Sequence, residues 1–152
     1  MAAIAGACGS SVAPTPAPVC GSGNLPPLDR TPTPAPPRSC TLAFYPDSTG
    51  IVVRDRAGEI VRDARFVVRD FEGNECRCPD EHGVLCCSSS HEGRHFVSLA
   101  ASELRVEVFA PVRVAPTVFC AEYERDEPNG IGCDAVRYRT TRPIEITAGS
   151  PR

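Results

Sequence analysis

Ile51-Val52-Val53-Arg54-Asp55-Arg56-Ala57-Gly58-Glu59-Ile60-Val61-Arg62-Asp63-Ala64-Arg65-Phe66-Val67-Val68-Arg69 places two β-branched runs on either side of a polar step that carries a glycine. Short runs of this kind, bounded by Gly, Asp and Asn, read as strands joined by tight turns. The pattern continues outward from this stretch. His95-Phe96-Val97-Ser98-Leu99, Leu104-Arg105-Val106-Glu107-Val108-Phe109, Val112-Arg113-Val114, Thr117-Val118-Phe119 and Pro143-Ile144-Glu145-Ile146-Thr147 share its composition. Glu72-Gly73-Asn74, Glu81-His82-Gly83 and Pro128-Asn129-Gly130 supply further turn signals. The expected fold is all-β, an antiparallel sandwich of about seven or eight strands. With no tryptophan in the chain, Phe44, Phe66, Phe71, Phe96, Phe109 and Phe119 are the candidates for the largest core contacts.

Length and composition limit what this fold can be. The chain has 152 residues and a formal charge of −3, and none of its 16 basic residues is a lysine. One domain is expected, and with charges of both signs interspersed there is no basic stripe for nucleic acid. No apolar run approaches the roughly 18 residues that would span a bilayer as a helix. Nine cysteines are present, an odd number. Setting Cys8 aside leaves Cys20, Cys40, Cys76, Cys78, Cys86, Cys87, Cys120 and Cys133, which can pair completely. That density in a small chain is the pattern of exported, disulfide-stapled domains, in which bridges offset a limited core.

The N-terminal part gives an address. Ala5-Gly6-Ala7-Cys8 is similar to the lipobox of bacterial lipoproteins, with Ala5 where leucine is usual, and Cys8 is the expected lipid acceptor. Residues 1–7 then read as the remnant of a signal peptide. The stretch 8–39 reads as a disordered, proline-rich stalk, with Pro14-Thr15-Pro16-Ala17-Pro18 echoed by Pro32-Thr33-Pro34-Ala35-Pro36. Proline fixes φ and removes N–H donors, so such a stretch makes a semi-rigid spacer and no ladder. Residues 40–148 are the expected sandwich and 149–152 a tail. Cys20 and Cys40 bracket the distal half of the stalk, and their partners are open at this level.

Val53 to Val67, with its glycine turn at Gly58 and the Val61-x-x-Ala64 step, resembles the opening of carboxypeptidase regulatory-like domains, which are transthyretin-like sandwiches. Asp80-Glu81-His82-Gly83-Val84-Leu85 and Glu92-Gly93-Arg94-His95-Phe96-Val97-Ser98-Leu99 are similar to that family's acidic-glycine hairpin and its Gly-x-Tyr-x-Leu strand. The match covers about residues 50–110. Ala100-Ala101-Ser102 stands where a Pro-Gly-Tyr turn is common, a departure from the pattern. The resemblance implies a non-catalytic accessory or structural module with no active site to carry over.

Two metal readings compete with disulfides. His91-Glu92-Gly93-Arg94-His95 satisfies H-E-x-x-H, which on one helix sets two imidazoles a turn apart on zinc with the glutamate as base. Gly93 in a helix and the strand-forming Phe96-Val97 weigh against it. Cys76, Cys78, Cys86 and Cys87, with His82, offer a thiolate cluster, although C-x-C followed by adjacent cysteines is not the usual zinc-knuckle spacing. As disulfides, Cys76 and Cys78 share one strand face whereas Cys86 and Cys87 point to opposite faces. If Asp80 to Gly83 turns a hairpin, Cys76 falls nearly opposite Cys87 and Cys78 nearly opposite Cys86, but both bridges cannot form across it without a bulge, so one of these cysteines is expected to cross to another element. Cys120 and Cys133 are expected to close the charged loop from Ala121 to Gly132. Asp126-Glu127 and Asp80-Glu81 read as surface turns, and so does Asp134.

The expected function is a non-catalytic cell-envelope lipoprotein without cofactor, a structural or adhesive module. It would lie in the outer membrane, in the periplasm or outside the cell, held by the Cys8 lipid and facing an envelope protein or glycan. The alternative is a small zinc metallopeptidase using His91, Glu92 and His95.

Overall fold

The computed structural model describes residues 20, 25, 29–35, 39–40, 46–80, 86–133 and 135–149. Cys8, Phe44, His82 and Asp134, singled out above, lie outside them. The described residues form ten strands and no helix. They are β1 (Thr49–Arg54), β2 (Arg65–Asp70), β3 (Glu75–Cys78), β4 (Cys87–Ser89), β5 (Arg94–Val97), β6 (Glu103–Ala110), β7 (Val114–Cys120), β8 (Tyr123–Asp126), β9 (Arg137–Thr140) and β10 (Ile144–Thr147).

Two four-stranded sheets face each other, ordered β10-β1-β5-β4 and β3-β2-β6-β7, and β8-β9 forms a separate ribbon. The fold is the expected all-β sandwich with more strands than the seven or eight expected. All neighbours are antiparallel except β1 and β10, which run parallel, Ile51 opposite Ile144 and Val53 opposite Ile146. A chain that returns to its first strand after crossing the other sheet arrives in whichever direction its last connection leaves it.

The core follows from strand alternation. Ile51, Val53, Val97, Ile144 and Ile146 of the first sheet meet Phe66, Val68, Leu104, Val106 and Val108 of the second. Fully burying one such side chain contributes about 1.5–3 kcal/mol. Phe66 alone among the described phenylalanines sits wholly inside, while Phe71 and Phe96 are exposed and Phe109 and Phe119 are half-buried. Phe96 follows His95 on β5, so the register that turns His95 inward turns Phe96 out.

Three connections share one construction. Asp55, Asp70 and Ser90 each accept from the N–H of the glycine three residues on, and each donates its own N–H to the carbonyl four residues on. Gly58, Gly73 and Gly93 all have positive φ. This is a type I turn closed by a glycine bulge. The first side chain caps it, Asp55 Oδ1 accepting from Glu59 N at 2.9 Å, Asp70 Oδ1 from Asn74 N at 2.8 Å and Ser90 Oγ from Arg94 N at 3.2 Å.

The expected loop between Cys120 and Cys133 instead contains β8, which pairs with β9 through Glu124 opposite Arg139 and Asp126 opposite Arg137. Both pairs are ionic, at 2.7 and 2.8 Å. Cys120 is bridged to Cys20 and Cys133 to Cys40, so these bridges tie the N-terminal segment to the sandwich and do not close a local loop. Between those bridges, residues 29–35 lie along the ribbon. Arg30 donates to Val136 O at 2.9 Å, and Thr33 Oγ1 donates to Glu127 Oε1 at 2.6 Å. Arg125 reaches Asp29 O, Thr31 O and Glu127. A proline-rich strap with few N–H donors is thus held by side chains of the domain.

The Cys76 to Cys87 region also departs from expectation, because β3 and β4 are not a hairpin. They belong to opposite sheets, and Cys76–Cys86 and Cys78–Cys87 both cross between them, with Cα separations of 5.8 and 5.4 Å. Cys76 and Cys78 both face inward, opposite Val68 and Phe66. Cys86 precedes the first residue of β4, so strand alternation does not force it away from Cys87, and no third element is required.

Candidate functional site

One inward-facing cluster brings together side chains of chemical interest. On β4, Cys87 stands opposite Val97 and Ser89 opposite His95, which places all four on the inner face of the first sheet. Cys78 meets them from the second sheet. The Cys78 Sγ, Cys87 Sγ and His95 ring-nitrogen positions all lie within 4.8 Å of one another.

His95 is 2 % exposed, a rare burial for a titratable ring. Its Nδ1 is 2.7 Å from Ser89 Oγ and 3.7 Å from Cys78 Sγ. The ring stands edge-on to Phe66, with centroids 5.1 Å apart. Nε2 is buried without a well-formed hydrogen bond. Burial pushes the imidazole pKa below its ordinary value, and the nearby Val61 backbone offsets this only in part. A neutral imidazole is a base and a metal ligand, whereas its protonated form is neither.

The H-E-x-x-H motif does not survive folding as a metallopeptidase site. His91 and Glu92 are exposed in the Ser90–Arg94 turn, in the places that Arg56 and Ala57 hold after Asp55, and His95 begins its run inside β5. The spacing of the two histidines is that of a turn feeding a strand, so they do not share a helical face. Gly93 is needed there at φ 81°, and a Cβ on it would stand 2.5 Å from Ile60 Cγ2. Cys76, Cys78, Cys86 and Cys87 are paired as disulfides, which removes the four-thiolate reading in this state.

The carboxylates are used structurally. Asp80 Oδ2 accepts from Cys86 N at 3.0 Å. Asp126 pairs with Arg137. Glu127 is gripped by the Thr33 hydroxyl, the Gly132 and Thr33 amides and Arg125, the Thr33 hydroxyl foremost, which holds its carboxyl down at about 2. An open groove of about 360 Å³ between the end of β7 and the start of β10 carries Glu122, Arg142 and Glu145, and none of the cluster above reaches it.

Sequence reasoning named Cys78, Cys87 and His95, but in different constellations. It read Ser89 only as a capping residue, spaced Ser89-x-x-Glu92, for the alternative helix and did not join it to these three; the strand places it two residues after Cys87 and so on the same face. Comparison with family models, with curated proteins and with solved structures finds no match to this chain.

Proposed function

We propose that this chain is a non-catalytic, exported sandwich module that works at the cell envelope in a structural or adhesive role. It would be tethered through a lipid on Cys8, with a carboxypeptidase regulatory-like domain as its folded part. One observation carries this reading. All eight described cysteines are bridged, two bridges joining the facing sheets and two fastening the N-terminal strap. Such cross-linking persists in oxidising compartments and is rare where glutathione keeps thiols reduced. It suits a domain that must keep its shape in an oxidising compartment.

The tethering cysteine and the bridged ones are tested together by intact mass of the protein taken from cells. The reading expects eight hydrogens fewer than the reduced chain, a diacylglycerol adduct on Cys8 and recovery in the envelope fraction. Eight alkylatable thiols in natively isolated protein would overturn it.

A further inference from the structure

We propose that the Cys78–Cys87–His95 cluster is a redox-gated metal site, in which opening of the Cys78–Cys87 bridge frees two thiolates that join the His95 imidazole around one thiophilic divalent cation, of which zinc is the reference. This inference does not rest on the envelope reading.

The geometry is close to what ligation needs. With Zn–S of about 2.3 Å and Zn–N of about 2.0 Å, tetrahedral ligands stand roughly 3.5–3.8 Å apart. His95 Nδ1 already stands 3.7 Å from Cys78 Sγ. After reduction the Cys87 sulfur has only to back away from Cys78 to reach the same spacing. Cys87 is half-buried on β4, an edge strand, so a side-chain rotation suffices. Ser89, also on that edge and exposed, holds Nδ1 in the bridged state and can swing to water when the cation takes its place. The fourth ligand position is left for water or for the Ser89 hydroxyl.

Two features make the site a designed place more than a chance proximity. The neighbouring Cys76–Cys86 bridge joins the same two segments, so the facing sheets stay in register when Cys78–Cys87 opens. His95 is buried with its Nε2 lacking a well-formed hydrogen bond, a cost that an aliphatic residue packed against Phe66 would avoid. Two thiolates neutralise a divalent ion, so the occupied site carries no net charge into the core.

The chemistry balances. A dithiol reductant gives two electrons and two protons to the Cys78–Cys87 bond and is itself oxidised to a disulfide, leaving two thiols. Binding of the cation then displaces both protons, while the His95 lone pair completes the donor set. A small-molecule disulfide reverses the sequence: it takes two electrons from the two thiolates and two protons from water to become a dithiol, the Cys78–Cys87 bond re-forms, and the metal is released.

The test uses the full chain, reduced with limiting water-soluble phosphine and offered one equivalent of zinc. Native mass spectrometry should find one zinc per chain, with Cys78 and Cys87 protected from alkylation, and cobalt in place of zinc should give a thiolate charge-transfer band. Cys78→Ala should bind no zinc, and His95→Leu should weaken binding more than about tenfold. The Cys76→Ala/Cys86→Ala chain should still load one zinc. No bound zinc, or zinc bound equally by Cys78→Ala, would overturn the proposal. If the reduced chain loses amide protection, zinc must restore it, and a chain that stays unprotected with zinc present refutes the site.

Discussion

The Tyr123 hydroxyl lies 2.6 Å from Thr49 Oγ1, and the direction of that hydrogen bond is determined by its neighbours. Thr49 Oγ1 donates to Leu99 O at 2.6 Å, so it must accept from Tyr123, whose oxygen in turn accepts from Ala101 N at 3.2 Å. This one-way chain fastens the β8–β9 ribbon to the first sheet through a threonine that is fully buried. Burial also pushes the phenol of Tyr123 above its ordinary pKa.

Tyr123→Phe keeps the ring and removes the oxygen, leaving the Ala101 N–H and the second lone pair of Thr49 without partners. A buried donor stranded in this way costs about 1–3 kcal/mol. Chemical denaturation should show a loss of that size, with ribbon amides exchanging faster than those of β2 and β6.

Gly93→Ala and Gly58→Ala differ in a telling way. Both glycines have positive φ, 81° and 85°, but only at Gly93 does an added Cβ meet a neighbour, Ile60 Cγ2 at 2.5 Å. Gly58→Ala should lose roughly 1–2 kcal/mol from backbone conformation alone. Gly93→Ala should lose measurably more in the same denaturation series, because Ile60 and Arg62 must move as well. Equal losses would show that the contact with Ile60 carries no energy.

The two inter-sheet bridges are predicted to be redundant. Cys76–Cys86 and Cys78–Cys87 span sequence separations of 10 and 9 and join the same segments. Once one is closed, the other restricts the unfolded chain very little. Replacing either pair with alanine should therefore cost little chain entropy, whereas replacing both should cost about 2–3 kcal/mol. A double-cycle comparison of the three variants under oxidising conditions measures this non-additivity.

Acid should loosen the N-terminal strap. Glu127 has its pKa lowered from 4.5 to about 2 by the contacts that hold residues 29–35. A depressed folded-state value means that the docking contribution is complete above about pH 4.5 and is lost as pH falls through the folded value near 2. Proteolysis of the segment between Cys20 and Cys40 should speed up over that window. Glu127→Gln should already be fast at neutral pH and show little further change.

Much of the architecture is written locally. The β-branched run at Ile51 to Val53 and the Phe66-Val67-Val68 run place β1 and β2 because side-chain alternation and turn chemistry act within a few residues. The same locality made Asp55-x-x-Gly58 and Asp70-x-x-Gly73 readable as turns. The Ser90-x-x-Gly93 turn could be mistaken for half of a zinc motif because H-E-x-x-H contains no information about whether its backbone is helical. β8 and β9 were missed, and β3 and β4 were considered only as the two arms of one hairpin, for a related reason. Glu75-Cys76-Arg77-Cys78 and Tyr123-Glu124-Arg125-Asp126 are short and polar, and they become strands only because β2 and β9 stand ready to pair with them.

The sequence by itself determined an all-β chain, its main strands, its glycine turns and the complete pairing of the eight cysteines after Cys8. Tertiary structure alone decided which sulfur meets which, since partners such as Cys20 and Cys120 are separated by 100 residues and are brought together by sheet packing. It alone decided that His95 faces Cys78 and Cys87. Local propensities set how a segment bends, but which faces come to share one interior depends on how the two sheets close on each other.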